Sequence, residues 1–499
     1  MSKKVPIRLL ETGVPGLDRI LAGGVPEFSF NLIAGMPGAG KTTLAHQIMF
    51  SLANPRRRAL YFTVLGEPPL KMLRYQQQFD FFDTDKVETS IRFINLAAEL
   101  IKGDLKLVLK TIMSEVAADS PGLVFVDSFR SIVLASKSRS SANEYELQHF
   151  VQELGIALTS WEATTFLVGE HEESESHNNP IFTVADGLIW LSQDTYQGSM
   201  VRKLEVKKMR GVATLPGQHT FRISGNGLQI FPRAILEVPE HKGAPARSGR
   251  VERISMGVKH LDEMLGGGLP KGYSLLVAGP SGSGKTIMAT EFLSEGARRG
   301  EKGVILAFEK SPGMGLSPTL DPLVRSGKVG IISTRALDLA IDSTLYDATE
   351  MIKRMKAKRV VIDSLSGLEL ALAPTYREDF RDSMYRMISV LTGLGVTVLV
   401  TSELEDRYVD LRFSSYGTAF LTDSIILERY VQLESEVRRC IAVVKVRNSD
   451  HSKQLREFMI VKGRLVIGDP IEGYEGLLVG RPTINRTNPP VRHGSAKGR

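Results

Sequence analysis

At 499 residues, 42% hydrophobic and 7% aromatic, the chain carries enough apolar side chains for two domains, each burying its own core. No apolar run approaches the roughly 18 residues of a membrane helix, the N-terminus lacks a signal-peptide core, and the lone Cys440 excludes an intramolecular disulfide and fits a reducing cytoplasm. The formal net charge of +7 includes five cations in the acid-free tail Arg481–Arg499, leaving +2 for the rest, so charge gives no strongly basic folded surface for nucleic acid.

Taken in order, the chain opens with Thr12-Gly-Val-Pro-Gly-Leu-Asp18 and Gly23-Gly24-Val25-Pro26, then an apolar strand expected at 28–33. That strand feeds Gly35-Met-Pro-Gly38-Ala39-Gly40-Lys41-Thr42-Thr43, a match to G-x-x-x-x-G-K-[ST], and a helical pattern follows. The chemistry explains the residue types. Glycines let backbone N–H groups close around phosphate oxygens, and the helix N-terminus adds partial positive charge. The lysine pairs with the β/γ-phosphates and the threonine hydroxyl reaches Mg²⁺. Further strands are expected at 59–63, 91–95, 123–126 and 165–168. The helix-spaced apolar residues of Leu100–Val116 belong to the core, and Arg56-Arg57-Arg58 reads as exposed decoration. Glu170-His171-Glu172-Glu173-Ser-Glu175-Ser-His177 reads as a solvated acidic loop in preference to a metal site. Antiparallel segments at 187–191, 201–208, 220–224 and 228–230 close the first half.

A polar Pro/Gly-containing linker is expected at 239–250, and the pattern then begins again. Met256-Gly-Val-Lys-His-Leu-Asp262 and Gly266-Gly-Gly-Leu-Pro270 precede Gly279-Pro-Ser-Gly282-Ser283-Gly284-Lys285-Thr286-Ile287. Lys41 and Lys285 are 244 positions apart, as are Asp18 and Asp262. Leu123-Val-Phe-Val-Asp127-Ser128 answers Val360-Val-Ile-Asp363-Ser364, and Lys208-Met209-Arg210 answers Lys445-Val446-Arg447. So long a period means two whole domains, at 1–238 and 251–480, followed by a basic disordered tail at 481–499. Strands are expected in the second domain at 273–278, 303–308, 329–333, 359–362 and 397–401, then antiparallel segments at 424–430, 438–447, 455–460 and 464–467. The fold class is therefore α/β: two tandem RecA-like P-loop ATPase domains, each a mostly parallel sheet with flanking helices and a terminal antiparallel extension. The dinucleotide fold is excluded because it uses G-x-G-x-x-G without Gly-Lys-Thr.

The expected nucleotide-binding residues are Gly38, Ala39, Gly40, Lys41, Thr42 and Thr43 in one copy and Gly282, Ser283, Gly284, Lys285, Thr286 and Ile287 in the other. Absence of an Asn/Thr-Lys-x-Asp guanine-reading motif favours ATP over GTP. Asp127 and Asp363 end apolar strands, where a P-loop enzyme holds Mg²⁺, so the expected metal set is Thr42 with Asp127 and Thr286 with Asp363. Hydrolysis also needs a carboxylate for the attacking water; Glu67 and Glu309 stand after the second strand of their domains. Lys208, Met209 and Arg210, with Lys445, Val446 and Arg447, are read as acting in trans on a neighbour's nucleotide. Two cations one apart on a strand, facing the same way with no nearby acid, repel unless an anion sits between them.

With these residues in view, the chain resembles the KaiC family of double-domain circadian clock ATPases and autokinases, from Thr12 through Gly476-Leu-Leu-Val-Gly-Arg-Pro-Thr483. The specific marks are the paired P-loops, the Gly-Gly-Gly-Leu-Pro lead-in, both Val/Ile-Asp-Ser sites, Lys208-x-Arg210-Gly211, and Lys445-x-Arg447-x-Ser-x-His451. The resemblance implies ATP- and Mg²⁺-dependent homohexamers with nucleotide between protomers, KaiA-like and KaiB-like partners, and autophosphorylation in the second domain. The sequence departs from the family where that kinase works. Adjacent glutamates after the second strand are replaced by Glu309-Lys310, and in the first domain by Leu65-Gly66 followed by Glu67. The adjacent Ser-Thr phosphoacceptors map to Ala419-Phe420, which accept no phosphate, although Ser414, Ser415, Thr418 and Thr422 are close by. The expectation is an ATPase with weak or altered autokinase activity. Its rivals are a RecA/DnaB-like nucleic-acid-dependent ATPase and a non-catalytic scaffold glued by ATP.

Overall fold

Residues 7–63, 69–87, 89–101, 105–128, 144–172, 180–196, 199–233, 252–308, 318–333, 340–372, 380–404, 421–433, 435–479 and 483–484 are described by a computed structural model. The chain divides into two compact units, Met1–Arg233 and Ala234–Arg499. The expected linker 239–250 lies outside the described residues. No helix among the described residues is long and apolar enough to cross a membrane.

In the first unit, β1 (Leu9–Leu10) pairs antiparallel with β2 (Val25–Pro26). The main sheet contains β3 (Phe30–Gly35), β4 (Ala59–Thr63), β5 (Ile91–Asn95), β6 (Leu123–Asp127), β7 (Thr164–Glu170), β8 (Gly187–Tyr196), β9 (Ser199–Met209), β10 (Gln218–Ser224) and β11 (Gly227–Phe231). Its strand order is β5-β4-β6-β7-β3-β8-β9-β10-β11. The run from β5 to β8 is parallel and the rest antiparallel. Every residue of β3 is buried and all but Asn31 are apolar, because helices cover both faces. Alternation along each strand then fills two separate cores. Ile33, Tyr61, Phe125 and Phe166 pack with Leu44 and Ile48 of the helix Lys41–Leu52. Leu32, Leu60, Val124 and Leu167 pack on the other face with Val108, Ile112 and Val116 of the helix Leu105–Asp119.

The second unit repeats this plan. Its short pair is β12 (Arg253–Ile254) with β13 (Leu269–Pro270). Its sheet contains β14 (Ser274–Gly279), β15 (Gly303–Ala307), β16 (Val329–Ser333), β17 (Arg359–Asp363), β18 (Thr397–Glu403), β19 (Ser424–Leu433), β20 (Glu436–Val446), β21 (Arg456–Val461) and β22 (Arg464–Pro470), in the order β16-β15-β17-β18-β14-β19-β20-β21-β22. Again the run from β16 to β19 is parallel and the remainder antiparallel. Two nine-stranded sheets with one topology, each carrying a P-loop between a central strand and a helix, define tandem RecA-type domains.

The expected strands are present, with differences that have local causes. The P-loop strand starts at Phe30, not at 28, because Phe28 takes a left-handed φ of 63° and Ser29 Oγ donates to the Pro26 carbonyl in a turn. The hairpin β8–β9 runs past its apolar stretch to the Tyr196–Ser199 pair, since main-chain bonds need no apolar side chain. For the same reason pairing continues beyond the expected boundary at 480. Thr483–Ile484 pairs antiparallel with Tyr474–Glu475; residues from 485 onward lie outside the described set. Arg58 is not mere decoration, for it pairs with Asp119 of a covering helix.

Candidate nucleotide sites

Both P-loops sit where β3 and β14 end, at the C-terminal edge of parallel strands, the edge at which open α/β sheets receive ligands. Each loop turns into its helix through a glycine at positive φ, Gly40 at 99° and Gly284 at 134°, conformations that side chains other than hydrogen avoid. A Cβ at Gly40 would also stand 2.8 Å from the Ile223 Cδ1 atom. The lead-in motifs prove to be structural. Asp18 accepts from the Thr12 N–H and Oγ1, both at 2.7 Å, and Asp262 accepts from the Met256 N–H at 2.7 Å. These carboxylates fold the approach to β2 and β13, and do not face phosphate.

The lysines are gathered into their own loops. Lys41 Nζ donates to the Met36 carbonyl at 2.7 Å, and Lys285 Nζ to the carbonyls of Gly279 at 2.8 Å and Pro280 at 2.6 Å. Burial lowers the Lys285 ammonium's pKa, opposed by Glu428, Glu403 and Asp363. In the first domain Thr42 Oγ1 donates to Asp127 Oδ2 at 2.8 Å, so the two expected metal ligands converge. A cavity of about 430 Å³ beside them is lined by residues including Gly38, Lys41, Thr42, Thr43, Asp127 and Glu170. Ala39 lies beneath, in the core. Tyr61 OH also donates to Asp127 Oδ2, at 2.8 Å. Burial raises the Asp127 pKa, the Tyr61 and Thr42 hydrogen bonds and Lys41 lower it, and Glu170 raises it further. The second domain departs here: Asp363 takes its hydroxyl from Thr401 on β18, while Thr286 is engaged at its carbonyl by Thr290. The peptide bond after each aspartate, Asp127–Ser128 and Asp363–Ser364, is cis.

Glu67 and Glu309, and the phosphoacceptor positions Ala419 and Phe420, lie outside the described residues, as do Glu173–His177. Of that acidic run, Glu170 belongs to a strand, while His171 and Glu172 follow it outside any helix or strand. Glu170 ends β7 opposite Gly35 and lines the cavity, and His171 is buried against Phe182. Glu403 ends β18 opposite Gly279 in the same way. These two glutamates were missed in the sequence as a repeated feature, although each closes an apolar strand that pairs with the P-loop strand.

The Lys-x-Arg segments require a correction. An acid does stand near each: Arg210 pairs with Asp186 at 2.9 Å, and Arg447 with Asp423 at 3.2 Å. Asp186 and Asp423 stand just before β8 and β19, the strands that pair with those carrying the Lys-x-Arg segments, so proximity in sequence did not reveal them. Each aspartate also accepts an N–H at the start of the P-loop strand, from Phe30 and Ser274. Lys208 donates to the Thr183 carbonyl and Lys445 to the Thr422 carbonyl. Met209 and Val446 are buried in their own domain's core, so their side chains are not offered to a neighbour. A register shift occurs in both hairpins just before the lysine, between Leu188 and Ile189 and between Ile425 and Ile426 on the facing strands; such a bulge re-aims the residues that follow.

This fold and these sites define a tandem P-loop ATPase of the RecA class. The KaiC ATPase family model matches residues 10–235 and again 254–472, and the chain belongs to that family. It is 28% identical over 500 residues to the circadian clock protein KaiC3 of Synechocystis sp. (strain ATCC 27184 / PCC 6803 / Kazusa), covering 95% of each chain. It is 27% identical over 492 residues to the circadian clock oscillator protein KaiC of Rippkaea orientalis (strain PCC 8801 / RF-1), covering 96% of this chain and 92% of the relative.

Proposed function

We propose that the chain is an ATP-hydrolysing homohexamer whose nucleotide state signals to partner proteins, with weak or altered autokinase activity. The observation that carries this reading is the convergence of Lys41, Thr42 and Asp127 around one cavity, on a topology that the second domain repeats. Mg²⁺ would be held by Thr42 with Asp127 and by Thr286 with Asp363; when bound it neutralises charge on the β- and γ-phosphates. A hard oxygen-seeking cation suits these hydroxyls and carboxylates. The lysines leave their loop carbonyls to meet phosphate, and Glu67 and Glu309 orient the attacking water. Lys208 with Arg210, and Lys445 with Arg447, act on a neighbour's γ-phosphate. Arg210 and Arg447 are tied by an aspartate yet remain 60% and 47% exposed, which suits a guanidinium oriented before its target arrives. Regulatory partners of the KaiB type suit membership in a clock-protein family. Autophosphorylation is weakened because Ala419 and Phe420 carry no hydroxyl.

Lys41→Ala and Lys285→Ala test the sites separately, with bound nucleotide per chain and particle mass as readouts. Each variant should retain about half of the nucleotide, since removing the P-loop lysine removes a charge-assisted phosphate contact. In Mg-ATP the parent chain should weigh as a hexamer. A substitution that leaves both nucleotide content and mass untouched would remove that domain from this scheme.

A further inference from the structure

The second P-loop is built over a carboxyl group that the first one lacks. Glu428 follows the Ala278–Leu427 pair on β19, as Leu191 follows the Ala34–Trp190 pair on β8. Beside it, Ser283 occupies the position that Ala39 holds in the first loop. Glu428 is 0% exposed. Its Oε2 accepts from Ser283 Oγ at 2.7 Å, and its Oε1 is buried with no hydrogen-bond partner among the described residues. The loop lies directly on it: a Cβ at Gly279 would stand 2.9 Å from Glu428 Cβ, and one at Gly284 would stand 3.8 Å from Oε2.

The charged groups facing this carboxyl are few. Lys285 approaches from the P-loop helix, and shares its charge with Glu403 of β18 and Asp363 of β17; Arg439 approaches from β20. On β21 the neighbours of Gly284 are Phe458 and Ile460, both apolar. Burial pushes the Glu428 carboxyl up to about 7, with the Ser283 hydrogen bond, Lys285 and Arg439 pulling the other way. A triphosphate laid on this loop adds several negative charges on the far side of one layer of backbone. In so dry a place like charges repel strongly, and the group that yields is the one able to take a proton.

We propose that Glu428 is a positioning residue that links nucleotide binding in the second domain to uptake of one proton from solvent. Phosphates on the loop drive the proton onto the carboxyl, which still holds Ser283 Oγ as a neutral group. The inference rests on the second P-loop binding nucleotide, and the first domain has no counterpart because Ala39 and Leu191 fill the same space. The sign follows from linkage: the bound state holds more protons, so affinity is greatest at low pH and declines as pH rises through the carboxyl's range.

The test uses the full chain carrying Lys41→Ala, so that the second site reports alone, with Mg²⁺ and a non-hydrolysable ATP analogue fluorescently labelled on the ribose. Its dissociation constant should rise about tenfold between about pH 6.5 and about pH 8.5, one pKa unit of linkage being a factor of ten. Calorimetry in two buffers of different ionisation heat should show proton uptake near neutral pH. Adding Glu428→Gln, which keeps an acceptor for Ser283, should abolish the uptake and flatten the profile to the analogue's own titration. Glu428→Leu, the first domain's residue, serves if the glutamine variant fails to fold. An unchanged slope in these variants, or no proton uptake by the parent, would overturn the inference alone. No binding by the parent at any pH would overturn the nucleotide reading as well.

Discussion

At the scale of single residues, the two sites differ in what holds the strand-terminal aspartate. Asp127 receives Tyr61 as well as Thr42, and Asp363 receives Thr401. Tyr61 is fixed for this task by aromatic neighbours, with His46 edge-on at 4.6 Å between ring centres and Phe125 stacked at 5.9 Å. Ile305 takes the equivalent place in β15, two residues before the one paired with Asp363. Tyr61→Phe removes a hydrogen bond to an ionisable group without changing shape, and should cost the first domain about 1.5–3 kcal/mol. It should also weaken Mg-ATP binding there and leave the second site alone. Denaturant titration and single-site binding would check this, and an unaltered first site would show that Tyr61 is only packing. None of this was legible in the sequence. The P-loops, Asp127 and Asp363 announce themselves by spacing, but Tyr61, Glu170 and Glu428 act across strands. Their partners are set by register, which local pattern does not encode.

At the scale of elements, the inner parallel strands were legible because burial on both faces leaves a largely apolar run, and the edge strands β5 and β16 because they are short apolar-rich segments between turns. Strands β4, β5 and β16 fall within the bounds expected from residue type alone. Most antiparallel strands, β21 excepted, ran longer than expected because their polar ends are held by main-chain pairing. One buried charge also escaped the pattern. Arg359 opens β17, is 1% exposed, pairs with Glu301 at 2.7 Å, donates to the carbonyls of Ser255 and Phe292, and lies over the Phe292 ring. It thereby ties the sheet to the P-loop helix Lys285–Arg298. In the first domain the opening residue of the matching strand is Leu123. Arg359→Ala strands the partner groups and opens a void, and should destabilise the second domain by about 3–5 kcal/mol. Unfolding monitored by domain-specific nucleotide release would reveal it, and equal stability of both domains would contradict the role given to Arg359.

At the scale of the whole molecule, duplication supplied two similar frames that have since diverged at their working parts. The sheet order is common, while the carboxyl under the loop, the hydroxyl on the aspartate and the opening residue of β17 and its counterpart β6 are not. The family was legible because its marks are local strings repeated at a fixed distance. The acid beside each Lys-x-Arg was not, because Asp186 and Asp423 reach the arginine only after the hairpin folds back. The most direct measurement is one time course of the full chain with Mg²⁺ and γ-³²P-labelled ATP, following free phosphate and protein-bound label together. Sustained phosphate release with little label on the chain is the result expected of an ATPase that has lost the paired acceptors at Ala419 and Phe420. Abundant label on the chain, or no phosphate release at all, would contradict it.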